Sequence, residues 1–489
     1  MPTLSVDQAE KMTDRLSQDL QYRRGEISKR MNYLTGETGR LRFASDKFRE
    51  KFHERYAGFT DNWCAPVVEA VGERMVYLGL RPAGKLGADT ELSRAWEATG
   101  ADAGIQEALA VRSAASRAFA LVSPTNRADR PRITFEHPEL TIVDEDPATG
   151  VRRAALIMWA DDNWEYATLY TATEVWKFQR KTSEDREMRQ GRPVDVGSGW
   201  EPRHHNTDDT WPAKNPLGCV PIVEMKNRSF LRPDHPISEI SGVMAMQDAI
   251  NLNWAYLLNA LDRVSLPQRI ITGADIPEVP VLDNDGQIAG YRPVDLDSLT
   301  GENILWINGD EAKPHEWSAA QIAPFLEVTQ QAVEHIAAQT RTPPHYLSGK
   351  MVNTAAEALT ISEAGLVSRA RQSILFVNQD VRTINYLTAL AMGRSEKEAD
   401  AIAAGTPMWA DPQYRSDAQR ADALLKKKQL GYPMKYLLEQ DGLPPHEIDR
   451  VMEMIKEEQE QDPLGVINRM ATTGNPGVFD QPETHQDQL

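Results

Sequence analysis

Three groups of side chains in this 489-residue chain are of types that could do chemistry. The first is His204-His205-Asn206-Thr207-Asp208-Asp209. Imidazoles and carboxylates this close in sequence can hold a divalent ion, and a solvated loop is the plainer account. The second is Asp161-Asp162, flanked by Trp159 and Trp164. Paired carboxylates beside aromatic rings suit acid-assisted glycoside hydrolysis. They equally suit the turn of a hairpin between two strands. The third is Thr342-Pro343-Pro344-His345-Tyr346-Leu347-Ser348-Gly349-Lys350, which puts two potential cations, His345 and Lys350, on a proline-stiffened loop. Such a loop could touch a passing polyanion, or be an exposed turn with no role. It is not a phosphate-binding loop, because Met351 stands where Ser or Thr is needed and Pro344 where the first Gly is needed. Nor does Thr35-Gly36-Glu37-Thr38-Gly39-Arg40 hold a Gly-Lys-Ser/Thr core. There is no Gly-x-Ser-x-Gly elbow and no His-Glu-x-x-His. Cys64 and Cys219 lie too far apart in sequence for a disulfide framework or a four-ligand zinc site. A reducing compartment and synthesis in a cytoplasm are therefore expected.

Charge narrows the classes further. The net charge is −18, from 54 Lys and Arg against 72 Asp and Glu. Tight, static DNA binders are usually basic. A surface over which DNA slides has no such need, since repulsion keeps a polyanion from sticking. Residues 11–55 run against the trend, with a local balance of +5. The hydrophobic share of 41% is ordinary for a globular protein. No apolar run is long enough for a membrane span, and the first residues lack the basic flank and apolar core of a secretory signal.

The elements that must position these groups follow from periodicity. Residues 5–35 are expected to be helical, with Met12, Leu16, Leu20 and Ile27 on one side. Asp61 is expected to cap a helix carrying Val67, Val68, Val71 and Met75, ended by Gly79. Short helices follow at 90–98 and 105–117. Between 118 and 223 the period shortens, with strands expected at 118–122, 132–135, 154–159, 166–170 and 174–178. From 238 to 393 the order is helix, β-rich insert, helix, loop, long helix. The first helix is expected to open at Ser238 and stop at Pro267, and the second to start near Ser318. The Thr354-x-x-Glu357 capping box opens a helix running to about Met392. At about 1.5 Å per residue it is a rod of roughly 55–60 Å, with Gly365 as a candidate kink point. Short helices are expected at 396–404, 416–429, 434–440 and 445–460, and a disordered tail after them. The middle order suits a subunit that lends two helices to the wall of a tube and pushes a loop into its bore.

Several segments together resemble portal proteins of tailed bacteriophages, of the long-tailed, siphovirus type found in actinobacteria. They are Asn32-Tyr33-Leu34-Thr35-Gly36, and Asp61-Asn62-Trp63 with Glu73-Arg74-Met75. Gly218-Cys219-Val220-Pro221-Ile222-Val223 precedes Asn227 in the same manner. Ser238-Glu239-Ile240 with Gln247-Asp248-Ala249-Ile250-Asn251 resembles the start of the family's first stem helix. Thr342-Pro343-Pro344-His345-Tyr346-Leu347, followed by Ala355-Ala356-Glu357-Ala358-Leu359 and Glu363, is the most specific segment.

The resemblance implies an α+β, mainly helical portal fold assembled as a ring, usually of twelve subunits. It implies a wing at 1–235, stem helices at 236–265 and 318–341, and a clip at 266–317. It implies a tunnel loop at 342–353, a long kinked wing helix at 354–393, and a crown at 394–460 before a disordered tail at 461–489. DNA-channel contacts would fall at His345, Ser348, Lys350 and Asn353. The implied partners are further copies of the chain, the terminase large subunit, the major capsid protein with scaffold as a further candidate, head–tail adaptors, and duplex DNA in the channel. No membrane, catalytic residue, metal or cofactor is implied. Two other readings stand beside this one: another virion structural or adaptor protein, and a cytoplasmic hydrolase built on the Asp161 or His204 clusters.

Overall fold

The computed structural model describes residues 3–461 apart from 39–40, 57, 128–129, 162, 182–198, 204–209, 266–269, 273–277, 283–286, 294–304, 308–320 and 349–355. Helices α1 (Val6–Thr35), α2 (Asp46–Tyr56) and α3 (Cys64–Gly72) lead to strand β1 (Tyr77–Arg81), then α4 (Thr90–Ala98) and α5 (Ala101–Ala115). Strands β2 (Arg117–Ser123), β3 (Arg132–Glu136), β4 (Thr141–Glu145), β5 (Arg152–Ala160), β6 (Trp164–Thr171) and β7 (Glu174–Lys181) follow, then the short β8 (Glu201–Pro202) and β9 (Ala213–Lys214), and β10 (Ile222–Lys226). Helix α6 (Met244–Ser265) precedes the insert strands β11 (Ile270–Thr272), β12 (Glu278–Leu282), β13 (Ile288–Pro293) and β14 (Leu305–Ile307). Then come α7 (Ala323–Thr340), α8 (Pro344–Ser348), α9 (Ala356–Ala391), α10 (Glu396–Ala403), β15 (Thr406–Trp409), α11 (Asp417–Gln429), α12 (Met434–Asp441) and α13 (Pro445–Gln461).

Helix α1 begins with a full capping box, Ser5 and Gln8 each bonding the other's backbone N–H, and ends on Gly36 at φ 81°. Its Ala9, Leu16 and Leu20 pack on an antiparallel sheet of order β4-β5-β6-β7-β8, with β9 also paired to β7. Strand β5 shows why that sheet is buried on both faces. Ala154, Leu156 and Met158 meet α1, while Ala155, Ile157 and Trp159 turn to Phe119, Leu121 and Ile222 behind.

A second layer holds the largest core. Strands β10, β2 and β3 form an antiparallel sheet, and α5 and α9 pack against it. Trp96, Leu109, Val122, Met225, Val377, Val381, Ile384 and Leu387 are buried there. Arg112 lies fully buried in this layer and donates to the Lys226 carbonyl and to Ser373 Oγ, joining α5 to β10 and α9. Strand β1 pairs with β15 from far along the chain. Just before β15, a Cβ at Gly405 would sit 2.7 Å from the Arg81 carbonyl oxygen, so only glycine lets the two segments meet.

Several boundaries differ from the sequence expectation. The first middle helix, expected from 236–238, begins at Met244, because Ser238 and Glu239 are used to fix a preceding turn. Glu239 N–H donates to the Ser113 carbonyl, and Ser238 Oγ accepts from Ile240 N–H. The second middle helix begins at Ala323. The segment expected as a loop at 342–353 holds a short helix, α8. Helix α9 runs unbroken through Gly365, where a Cβ would stand 3.3 Å from Arg341 Cβ, so this glycine serves a close approach between α9 and the end of α7. Gly79 does not end a helix; α3 stops at Gly72 and Gly79 lies inside β1.

Candidate functional site

The helical hairpin α6–α7 and the chain around 342–348 are the elements on which the sequence places its functional candidates. Asn253 Nδ2 on α6 donates to the Phe325 carbonyl at 2.7 Å and to Thr329 Oγ1 at 2.8 Å, which pins α7 alongside. The root of α6 is locked by polar side chains that other elements need. Gln247, fully buried, accepts from Trp63 N–H at 2.7 Å and donates to the Asp61 carbonyl and to Asn251 Oδ1. Trp254 donates its indole N–H to Asp61 Oδ2 at 2.8 Å. Tyr33 donates to Asp248 Oδ1 at 2.6 Å, and Arg42 pairs with the other oxygen at 3.4 Å. Burial, and then the bonded Asp248 carboxylate, push the Tyr33 hydroxyl above its ordinary range. Burial also pushes the Cys64 thiol up to about 12, which leaves it an inert core group at neutral pH.

Three segments that carried the family likeness thus meet at one place. The 32–36 segment closes on Gly36, and Asn62 Nδ2 donates to the Leu34 carbonyl. Trp63 stands at the N-cap of α3 with no side-chain cap bond, and the first helical N–H, of Cys64, donates to Asn62 Oδ1 at 2.9 Å, not to Asp61 as expected. Asp61 is occupied by Trp254. The polar side chains of these residues bond chiefly across the three segments.

Beyond Thr340 the chain is tied down at its start. Arg369 on α9 donates to the Thr340 carbonyl and to Thr342 Oγ1, and pairs with Glu239 at 3.3 Å. Burial pulls its guanidinium below the ordinary value, opposed by Glu239. Leu347 is buried against the α6–α7 core. Arg74 gathers the rest. It donates to Tyr346 Oη at 2.7 Å and to the Pro412 carbonyl at 2.7 Å, and pairs with Glu363 at 3.1 Å. His345 Nε2 lies 3.8 Å from the same Glu363, an ion pair when the imidazole is protonated. Of the four residues proposed to face DNA, His345 is therefore turned towards a carboxylate of α9. Ser348 ends α8, and Lys350 and Asn353 lie outside the described residues. The sequence flagged Arg74 and Glu363 as motif residues without showing that they pair.

The other clusters resolve differently. Asp161 Oδ1 accepts from Asn163 N–H and Trp164 N–H, and Oδ2 accepts from Tyr166 Oη–H. These bonds hold its carboxyl below the usual range. It builds the β5–β6 turn, and its protonation for acid catalysis is opposed. Asp162 and the whole 204–209 tract lie outside the described residues. No group of three or more His, Cys, Asp or Glu able to hold a metal is found among the described residues. No helix among them is long and apolar enough to cross a membrane.

This combination defines an α+β body bearing a helical hairpin with a β insert and a long buried helix. A family model, phage portal protein, SPP1 Gp6-like, matches residues 13–462, and the chain belongs to that family of portal proteins. The portal protein of Mycobacterium phage D29 is 28% identical over 375 residues, covering 73% of this chain and 70% of that protein. The portal protein of Mycobacterium phage L5 is 27% identical over 373 residues, with the same coverage. Among solved structures, the neck of a native gene transfer agent particle computed with C12 symmetry is 14% identical and covers 86% of this chain and 99% of that one, at a TM-score of 0.38. That likeness is too loose to bear on how this chain assembles.

Proposed function

We propose that copies of this chain, expected to number twelve, close into a ring at one capsid vertex, through which duplex DNA enters during packaging and leaves on ejection. Its role is structural, as expected of a portal, and the protein is not an enzyme. Residues 236–265 and 318–341 are the stem around the channel, 266–317 the clip, and 342–353 the tunnel loop. Residues 1–235 and 354–393 form the wing, and 394–460 the crown. The clip docks the terminase large subunit first and head–tail adaptors later, and the wing meets the major capsid protein. The protein is a virion component assembled in the host cytoplasm.

The observation that carries this reading is the extent of the family match, which includes the body, the hairpin and the helices that follow it. Physical support comes from α7. Residues 323–332 of that helix include none that is buried, and Leu326 and Val328 are half exposed. A helix that is uncovered on both sides and still carries apolar residues has surface left for a partner. A heterologous contact that closes by rotation supplies it. The acidic balance of −18 fits a channel that repels its cargo. Light scattering of the purified chain tests the reading. A mass many times 54.8 kDa is expected, and a monodisperse monomer at every concentration would overturn it.

A further inference from the structure

Beside the end of α7, three arginines line one cavity of about 140 Å³. They are Arg228, Arg341 and Arg369, and Glu239 is the one carboxylate among the lining residues, a formal balance of +2. Arg369 and Glu239 are paired with each other. Arg228 comes no closer to Glu239 than 4.0 Å, and its buried Nε has no hydrogen-bond partner. Arg341 is exposed. Behind the cavity wall, Arg112 bonds Ser373 of the lining, while its buried second terminal nitrogen lacks a partner. Like charges gathered in a confined space cost free energy unless an anion joins them.

A groove of about 550 Å³ adjoins this cavity, sharing Asn227, Arg228, Gln372 and Phe376 with it. The groove is also lined by Glu145, Glu224, Lys226 and Asp380, with Lys226 paired to both glutamates, and Phe230 and Leu231 form its lip. They are 68% and 99% exposed, and both hold left-handed backbone, at φ 45° and 67°. Arg341 does too, at φ 53°. So three of the four non-glycine residues with positive φ among the described residues lie at this one patch. At Arg341 this backbone is the left-handed cap that ends α7, its N–H bonded to the Ala337 and Ala338 carbonyls, whereas at Phe230 and Leu231 it is strain that the surrounding loop must enforce. Here the loop is closed by Ile237 N–H donating to the Arg228 carbonyl, by Asn227 Nδ2 donating to the Ile237 carbonyl, and by Arg228 lying over the Phe230 ring. The result is a closed tip that presents two large apolar side chains to solvent beside a cavity whose three guanidiniums share the single carboxylate of Glu239.

We propose that this patch is a contact between copies of the chain, in which a carboxylate of a neighbouring copy enters the arginine cavity and the Phe230–Leu231 tip packs against the surface around it. The inference rests on the ring reading above. A second copy fits by charge: carboxylates outnumber cations 72 to 54 in this chain, so an acidic segment is available on every neighbour. Arginine and aromatic side chains are also enriched among the contacts that dominate an interface. A DNA phosphate fits less well, because the cavity is small and a rigid duplex cannot insert a phosphate deep into it.

The test is the concentration at which rings half-form, read by native mass spectrometry for the full chain and three variants. Arg341→Gly removes the guanidinium and relaxes the left-handed backbone, so it keeps the fold. Arg341→Glu reverses the charge, and Phe230→Ser with Leu231→Ser removes the tip. We expect Arg341→Glu and the double variant to raise the midpoint about tenfold or more, Arg341→Gly to raise it less, and added salt to raise the wild-type midpoint. Variants that fold, by circular dichroism, and assemble at the wild-type concentration would overturn the proposal while the ring reading stands. The same assembly with weakened binding to a duplex fragment would overturn it in favour of a phosphate contact. A wild-type chain that never assembles would overturn the ring reading and this inference with it.

Discussion

The layer around α9 and the hairpin of α6 and α7 draw on similar apolar residues and treat them oppositely. In the layer, Val377, Val381, Ile384 and Leu387 repeat along one face of α9, and every one is fully covered. In the hairpin, Leu326 and Val328 are half in solvent, and α7 buries only Val333, Ile336, Ala337 and Thr340, near its root. The layer is covered within one chain, whereas the far half of α7 leaves Leu326 and Val328 half in solvent. The root joins the two regimes, and it does so with amides and carboxylates where the layer uses apolar packing. Tyr33, Asp61, Gln247, Asp248 and Trp254 each bond a partner on another segment, while the buried Trp63 indole N–H has none among the described residues, so position is fixed more tightly than apolar contact alone would fix it.

Substitutions should separate the two regions, and the largest contrast comes first. Trp96→Ala empties a buried indole site and leaves Asn385 Oδ1 without its 3.0 Å donor. Chemical denaturation should show a loss of about 3–5 kcal/mol. Val328→Ala, in the exposed half of α7, should change the same measurement by under about 0.5 kcal/mol yet weaken assembly. Equal effects on stability would erase the contrast. At the root, Gln247→Ala strands Trp63 N–H and the Asp61 carbonyl. A loss of about 1–3 kcal/mol is expected for orphaned groups of this kind, together with faster amide exchange across 58–66. Unchanged exchange there would mean that the root is held by its apolar contacts instead.

How far the sequence revealed all this depended on where each signal lay. Helix α1, the strands β5 to β7 and the helices after 395 were legible because their caps and periods are local. The pair β1–β15 was not. Its partners lie more than 320 residues apart, and Gly79 imitates a helix stop although it sits in a strand at φ 146°. Helix α2 was missed because its sequence, Asp46-Lys47-Phe48-Arg49-Glu50-Lys51, is mostly charge, and its Phe48, Phe52 and Tyr56 find their cover on α6 and on Leu41 and Ala44. At the site, the motif segments were visible but their mutual bonds were not. Asp61 and Asn62 are both plausible caps, and only the position of Trp254 decides which is free.

Smaller effects sharpen the picture at the periphery. Helix α11 buries no residue, so it depends on its capping box, in which Ser416 Oγ accepts from Gln419 N–H. Ser416→Ala should cost about 1 kcal/mol, seen as local amide exchange in 417–429 with no change in global unfolding. If global unfolding shifts instead, α11 belongs to the same cooperative unit as the body. The smallest expected effect concerns pH. Burial raises the Asp380 carboxyl to about 8, against the opposing pull of Arg112. Its folded pKa therefore lies above its unfolded one, and the folded chain keeps a proton that the unfolded chain releases. This group's contribution to stability is greatest in acid and falls as pH rises towards about 8. Asp380→Asn should flatten the melting profile between about pH 4, the ordinary carboxyl range, and about pH 8, and an unchanged slope would assign the dependence to other groups.

The central claim is that α6 and α7 face a channel. End-on electron cryo-microscopy of the purified protein tests it most directly. The account predicts rings with an open centre wide enough for a DNA duplex, lined by the hairpin of residues 244–265 and 323–340. Compact particles without a hole, or rings that carry the hairpin on their outer rim, would contradict it.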